Sequence, residues 1–373
     1  MMDVNEEQEM HSTWASVDLS AIKNNVHRIL DRSKVQVMAI VKANAYGHGA
    51  VPVAQAALEA GASWCGVARV SEALELRQAG LNCPILILGY TPKLQYGEMI
   101  ARQVSMTIWD LRQVEEISVT ASLLGKEAKL HLDVDTGMSR LGAEPDEIVG
   151  LLGTIAHLPN VQVEGLFTHF ACADEADPAP TDHQEELFHG LMKKLESTGI
   201  HIPLIHVANS AASLTRPSVY FDCVRLGIAM YGLHPSAECP LPPGFRPALT
   251  WKSVLSQVKT LPPGRGVSYG HEYVTTRAER IGTVPVGYAD GFRRASGNQV
   301  LVAGRKVPVV GRVTMDQIMV QLDAVSDAKE GDEVVLVGVQ GESSITAEDI
   351  AGWWGTINYE VTSGIAHRVA RIY

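Results

Sequence analysis

Eight short runs rich in β-branched and other apolar residues recur through the first two-thirds of the 373-residue chain, at 35–41, 64–68, 84–88, 104–108, 128–134, 161–167, 203–208 and 224–229. Each is bounded by turn-forming residues, and helical patterns lie between them. Ser71 to Ala79 and Asp182 to Ser197 are two examples, with apolar residues at three- and four-residue spacing. Eight strand-helix units of roughly 25–30 residues each fit a (β/α)8 barrel. An open doubly wound sheet shows the same alternation and stays open as an alternative.

The pattern changes near residue 240. Leu241-Pro-Pro-Gly-Phe-Arg-Pro247 reads as a linker, because adjacent prolines and a glycine break both helix and strand. Beyond it lie short alternating runs with frequent glycine: Trp251 to Lys259, Ile281 to Val286, Lys306 to Val310, Ile318 to Leu322, Glu333 to Val337 and Ile365 to Ile372. The expectation is therefore an α/β architecture of two domains, a barrel over 1–240 and a mostly-β domain over 241–373.

Bulk properties narrow the function. The formal net charge of −11 argues against nucleic acid or an anionic membrane as partner, since both repel it. The five cysteines (Cys65, Cys83, Cys172, Cys223, Cys239) show neither a CxxC pair nor a Cys/His cluster, which points to reduced thiols and no metal site. The stretch MMDVNEEQEMHS is acidic and lacks the basic-then-apolar order of a signal peptide. The apolar runs are too short to span a bilayer. Together these favour a cytoplasmic location.

Chemistry-bearing residues gather at the ends of the expected strands. Lys42 follows the first run, at its C-terminal end, which is the catalytic face of a barrel. Burial there lowers an amine's pKa, and a neutral lysine can join an aldehyde cofactor as a Schiff base. A lysine snorkelling from a strand end is the plainer alternative. Asp133 and Arg140 follow the fifth strand, His169 the sixth and Ser210 the seventh, while Arg225 and Gly227 lie on the eighth. Singly, His169 reads as a core histidine, Ser210 as a helix cap and Arg140 as one half of a surface ion pair. Together at one barrel mouth they form a candidate site, with Ser210 and Gly227 placed to meet a phosphate.

The segments VKANAYGHG, DTGMSRLG, THFA, ANSAA, VRLGIAMYG, VSYG, VGYADG, GRVTMDQ and INYE resemble, in order, the signature blocks of the alanine racemase family. The resemblance runs from about residue 14 to the C-terminus. It implies pyridoxal 5'-phosphate as cofactor, interconversion of L- and D-alanine, D-alanine supply for peptidoglycan, and a homodimer with shared sites. Lys42 corresponds to the cofactor lysine and one catalytic base, and Tyr269 to the second base, given by the partner subunit. Tyr46, Ser210, Gly227, Ile228 and Tyr359 correspond to the phosphate-binding set. Arg225 corresponds to the arginine at the pyridine nitrogen, with His169 beside that ring. Arg140 and Met315 match substrate contacts, and Asp133 and Asp316 are placed as supporting residues.

Two positions depart from the family pattern. Many alanine racemases have a carbamylated lysine where this chain has Asp133, and cysteine is frequent where it has Thr314. Asp133 keeps the negative charge on a shorter side chain, and is expected to face Arg140 directly or through a water. Both positions bear on substrate range, so a broad-specificity or serine-preferring racemase is the alternative. A carrier or regulatory protein that merely binds the cofactor has no need of Tyr269.

Overall fold

The computed structural model describes residues 10–373; residues 1–9 of the acidic N-terminal stretch lie outside the described residues. The chain forms two compact units: Ser20–Ala45 with Ala50–Pro247, and the segment ending at Leu19 with Tyr46–Gly49 and Ala248–Tyr373. The first strand, β1 (Thr13–Val17), thus lies in the second unit rather than within the barrel span 1–240 expected from sequence. It pairs antiparallel with Leu249–Val254 and parallel with Ala370–Ile372. A five-residue strand is stable only against neighbours, and these lie more than two hundred residues away.

The first unit is the barrel. Its strands are β2 (Gln36–Ile40), β3 (Trp64–Val67), β4 (Ile85–Ile87), β5 (Ser105–Ile108), β6 (Ala128–Asp133), β7 (Val161–Phe167), β8 (Leu204–His206) and β9 (Cys223–Leu226). Seven of the eight expected runs contain one strand each, and the eighth, 224–229, overlaps β9, which begins one residue earlier at Cys223. They pair in parallel, β2 through β8 in sequence order, and β9 returns to pair with β2. The remaining gap closes through Asp222 N–H to Ile205 O (3.1 Å) and Arg225 N–H to Ala208 O (2.9 Å). The open doubly wound alternative is therefore ruled out, since its strand order reverses about a central pair.

One irregularity in the barrel wall bears on the site. The β6–β7 register shifts between Leu130 and His131. The His131 ring lies against Gly165, where a Cβ would stand 2.1 Å from its Nδ1. Only glycine admits the imidazole here, so the wall is shaped to hold a buried histidine.

The second unit is mostly β. Its larger sheet includes β1, Leu249–Val254, Gln299–Val302, Arg305–Pro308, Glu333–Gln340 and Ala370–Ile372, and a three-stranded sheet joins Gln257–Leu261, Glu279–Val284 and Ile318–Gln321. The expected run Trp251 to Lys259 is two strands broken at Leu255-Ser256, and Ile365 to Ile372 is a strand only from Ala370. Helices Ala347–Trp354 and Asn358–Ser363 also belong to this unit. No helix among the described residues is long and apolar enough to cross a membrane.

Candidate active site

In the barrel unit the site begins with the backbone. Directly after Lys42, Ala43, Asn44, Ala45 and Tyr46 all have φ of 52–53°, one turn of left-handed helix made without glycine. Such a turn costs roughly 1–2 kcal/mol per residue, so neighbours must hold it. Glu72 does so from the next strand-helix unit: its carboxylate accepts the N–H of Ala43 (2.6 Å), Ala68 (2.7 Å) and Arg69 (3.0 Å). Asn44 Oδ1 accepts Ala50 N–H at 2.9 Å and Ala45 N–H reaches Val41 O at 2.8 Å. In the sequence Glu72 is marked only as one residue of a helical pattern.

Lys42 is half-buried, and burial lowers its amine pKa, with the charges of Arg140 and Arg225 adding to the effect and Glu72 opposing it. The physical effect is a larger neutral, nucleophilic fraction at a given pH.

Arg225 is buried to 3% exposure and makes no direct ion pair among the described residues. Its guanidinium donates to Thr168 O (2.9 Å) and His206 O, and faces His206 Nδ1 and His169 Nδ1, each at 3.1 Å. Its carbon lies 5.4 Å from the Phe167 ring centre. Burial pushes its pKa down to about 10, against which the nearby Asp133 charge works; at neutral pH it remains a cation.

Arginine has no acceptor, which fixes a chain of tautomers. His206 Nδ1 must accept, so its proton sits on Nε2. That nitrogen lies 2.9 Å from His131 Nδ1, which must then accept in turn. The His131 proton is left on Nε2, 3.4 Å from Glu164 Oε1. Glu164 is held below the usual carboxylate range by His131 and Ser105, which outweigh its burial, and it also pairs with Lys129 at 3.4 Å. His131, His169 and His206 all have lowered pKa values, burial being the main cause. The cation is thus faced by neutral rings, with the compensating carboxylate two histidines away. His206, His131 and Glu164 were not singled out from sequence; the signal was their position on consecutive barrel strands.

The remaining barrel residues gather as follows. Ser210 Oγ accepts the N–H of Gly227 (2.9 Å) and Ala229 (3.4 Å), leaving its own proton free to donate. Ile228 is buried beside them. Gln184 bridges Thr136 Oγ1 and His169 O at 3.1 and 3.0 Å, joining the loops after β6 and β7. Asp133 is buried and Arg140 exposed; of the two expected forms of their pairing the direct ion pair is not made, although the Arg140 charge still acts on the Asp133 carboxyl. Burial pushes the Asp133 carboxyl up to about 7, although Arg225 and Arg140 both oppose this.

The second unit carries the other expected residues. Tyr269 is 71% exposed, on a turn between the short strands Gly266–Val267 and Tyr273–Val274. Its neighbours Ser268 and His271 have φ of 62° and 47°, and Ser268 Oγ donates to Arg312 O at 2.7 Å, so a strained and tethered loop presents the phenol. Met315 is exposed in the loop before Ile318–Gln321, and Asp316 accepts from Arg368 at 2.7 Å. The Tyr46 and Tyr359 rings lie 6.0 Å apart, and burial raises the Tyr46 phenol.

Comparison with known proteins identifies the family. Residues 17–235 match the family described as alanine racemase, N-terminal domain, and residues 248–373 match alanine racemase, C-terminal domain. The alanine racemase of Symbiobacterium thermophilum is 45% identical over 367 residues, 98% of this chain and 97% of that protein. The crystal structure of alanine racemase from Bacillus anthracis with bound L-Ala-P superposes with a TM-score of 0.91 at 42% identity, covering 97% of this chain and 94% of that one. A histidine racemase from Leuconostoc mesenteroides subsp. sake shares the architecture at TM-score 0.90 and 29% identity, over 97% and 98% of the two chains. With both of its domains matched and its relatives covered almost end to end, this chain belongs to the alanine racemase family.

Proposed function

We propose that the chain interconverts L- and D-alanine with pyridoxal 5'-phosphate. The observation that carries this reading is a desolvated lysine set near a buried arginine whose ring partners are neutral. The donor set fits the cofactor. Lys42 offers a nucleophilic amine for an aldehyde, and Ser210 offers a free hydroxyl proton beside the Gly227 and Ile228 backbone for a phosphate. Tyr46 and Tyr359 complete the phosphate set on the family's pattern, and His169 lies beside the ring. When bound, the cofactor supplies an electron sink that acidifies the substrate's Cα–H.

The chain's own residues then manage the proton. Neutral Lys42 accepts it on one face of the substrate, and Tyr269 of a second copy holds or returns it on the other. Two bases serve both directions, whereas one base on one face returns the proton to where it came from. Arg225, always a donor and faced by neutral rings, gives up no proton to a facing nitrogen, which restrains side reactions such as transamination. Arg140 and Met315 contact the substrate, with Asp133 and Asp316 in support. The active unit on this reading is a homodimer, cytoplasmic, with D-alanine destined for peptidoglycan.

A second reading, a broad-specificity or serine-preferring racemase, draws on Asp133 and Thr314, which replace the common lysine and cysteine. The occurrence of a histidine racemase on the same architecture also favours a tunable substrate range. The cofactor assignment is tested by reducing the holoenzyme with borohydride and mapping the labelled peptide. The cofactor is expected on Lys42; label on another lysine refutes the mechanism.

A further inference from the structure

Cys65 and Cys83 are 18 residues apart in sequence, yet their sulfurs lie 3.7 Å from each other. Cys65 is the second residue of β3 and Cys83 precedes β4 by two. Both therefore sit toward the N-terminal end of the barrel strands, away from the end that carries Lys42. Neither takes part in the chemistry proposed above.

Their surroundings differ in a way that suits a reactive pair. Cys65 is fully buried, whereas Cys83 is half-buried and reachable from solvent. Arg77 pins the segment that carries Cys83: it donates to the carbonyls of Leu81 (2.7 Å) and Cys83 (2.8 Å), and to those of Arg102 (3.0 Å) and Gln103 (2.9 Å). The guanidinium is thereby held near the Cys83 sulfur. The hydrogen bond shared with Cys65, and then the Arg77 charge, push the Cys83 thiol down to about 7, while the same bond raises Cys65. This divides the labour, with an accessible thiolate as attacking group and a sheltered thiol as resolving group. A disulfide bond of about 2.05 Å requires the sulfurs to approach by less than roughly 2 Å, within the reach of side-chain rotation.

We propose that Cys65 and Cys83 form a reversible dithiol–disulfide site, oxidised by low-molecular-weight disulfides of the glutathione class. The Cys83 thiolate attacks one sulfur of the small disulfide, breaking its S–S bond and releasing one small thiolate. Cys65 then loses its proton and attacks the Cys83 sulfur, releasing the second small thiolate. The protein pair is oxidised by two electrons and the small disulfide is reduced to two thiols. The same steps run backwards in excess thiol.

The test uses the holoenzyme treated with oxidised glutathione, then unfolded, alkylated and mapped by mass spectrometry. The alkylatable thiols should fall from the five in the sequence to three, with a peptide linking Cys65 to Cys83 that reduced glutathione dissolves. In Cys65→Ser the glutathione should stay trapped on Cys83, because the resolving thiol is gone. Five free thiols after oxidation, a stable mixed disulfide on Cys83 in the unaltered protein, or a bridge between other cysteines would each overturn the proposal. If Cys65→Ser fails to fold, mapping of the unaltered protein decides between these results.

Discussion

Replacing Asp133 by asparagine should make the protein more stable at alkaline pH and leave it unchanged in acid. Asp133 ends β6, buried, with no direct ion pair among the described residues, and burial outweighs the pull of Arg225 and Arg140. Its carboxyl is therefore raised from 3.8 to about 7. The folded state binds a proton that the unfolded state has released across that window, so stability falls as pH rises from about 4 through 7. The penalty is absent below the unfolded value and complete above the folded one. A rise of this size corresponds to on the order of 4 kcal/mol at alkaline pH. Asparagine has nearly the same shape and no charge, so it removes the penalty. Urea unfolding of both proteins, followed by circular dichroism at about pH 4 and about pH 8, should give a difference near zero in acid and several kcal/mol in favour of Asp133→Asn in base. A difference that does not change with pH would refute the reasoning.

Other perturbations probe the rest of the site. Mixing inactive Lys42→Ala and Tyr269→Phe subunits should restore activity through hybrid dimers with one intact site; no recovery after demonstrated subunit exchange would speak against a shared site. Glu72→Ala strips the acceptor from three backbone N–H groups. It should cost roughly 2–4 kcal/mol and weaken cofactor retention, with Glu72→Gln milder, as read by thermal unfolding and cofactor titration. Added bicarbonate should leave the rate unchanged, because an aspartate at 133 cannot carry a carbamate; a bicarbonate-dependent rate would place a carbamylated lysine elsewhere.

The barrel was legible because its strands are short apolar runs punctuated by turn residues, and that local signal survives without knowledge of partners. Strand β1 was not, since Thr-Trp-Ala-Ser-Val takes its meaning from strands at the far end of the chain. Residues 251–259 read as one run because nothing in Leu255-Ser256 announces a break. Lys42 could be read from its place after a strand. The left-handed turn that follows it could not, for two alanines there carry no preference for positive φ and the cause lies in Glu72. The histidine chain behind Arg225 was hidden for a similar reason: β6, β7 and β8 assemble it across neighbouring strands, and Gly165 makes room for it. The Asp133 departure was visible in sequence, but the absence of a direct bond to Arg140 depends on which of the two is buried.

The central claim is that this chain racemises alanine with two bases on opposite faces. The most direct measurement is to incubate the purified holoenzyme in D2O with L-alanine, and separately with L-serine and L-histidine, followed by chiral separation and mass analysis of the products. The account predicts D-alanine as the favoured product, carrying deuterium at Cα, and loss of its formation in both Lys42→Ala and Tyr269→Phe. Faster conversion of serine or histidine than of alanine, or full activity in Tyr269→Phe, would contradict it.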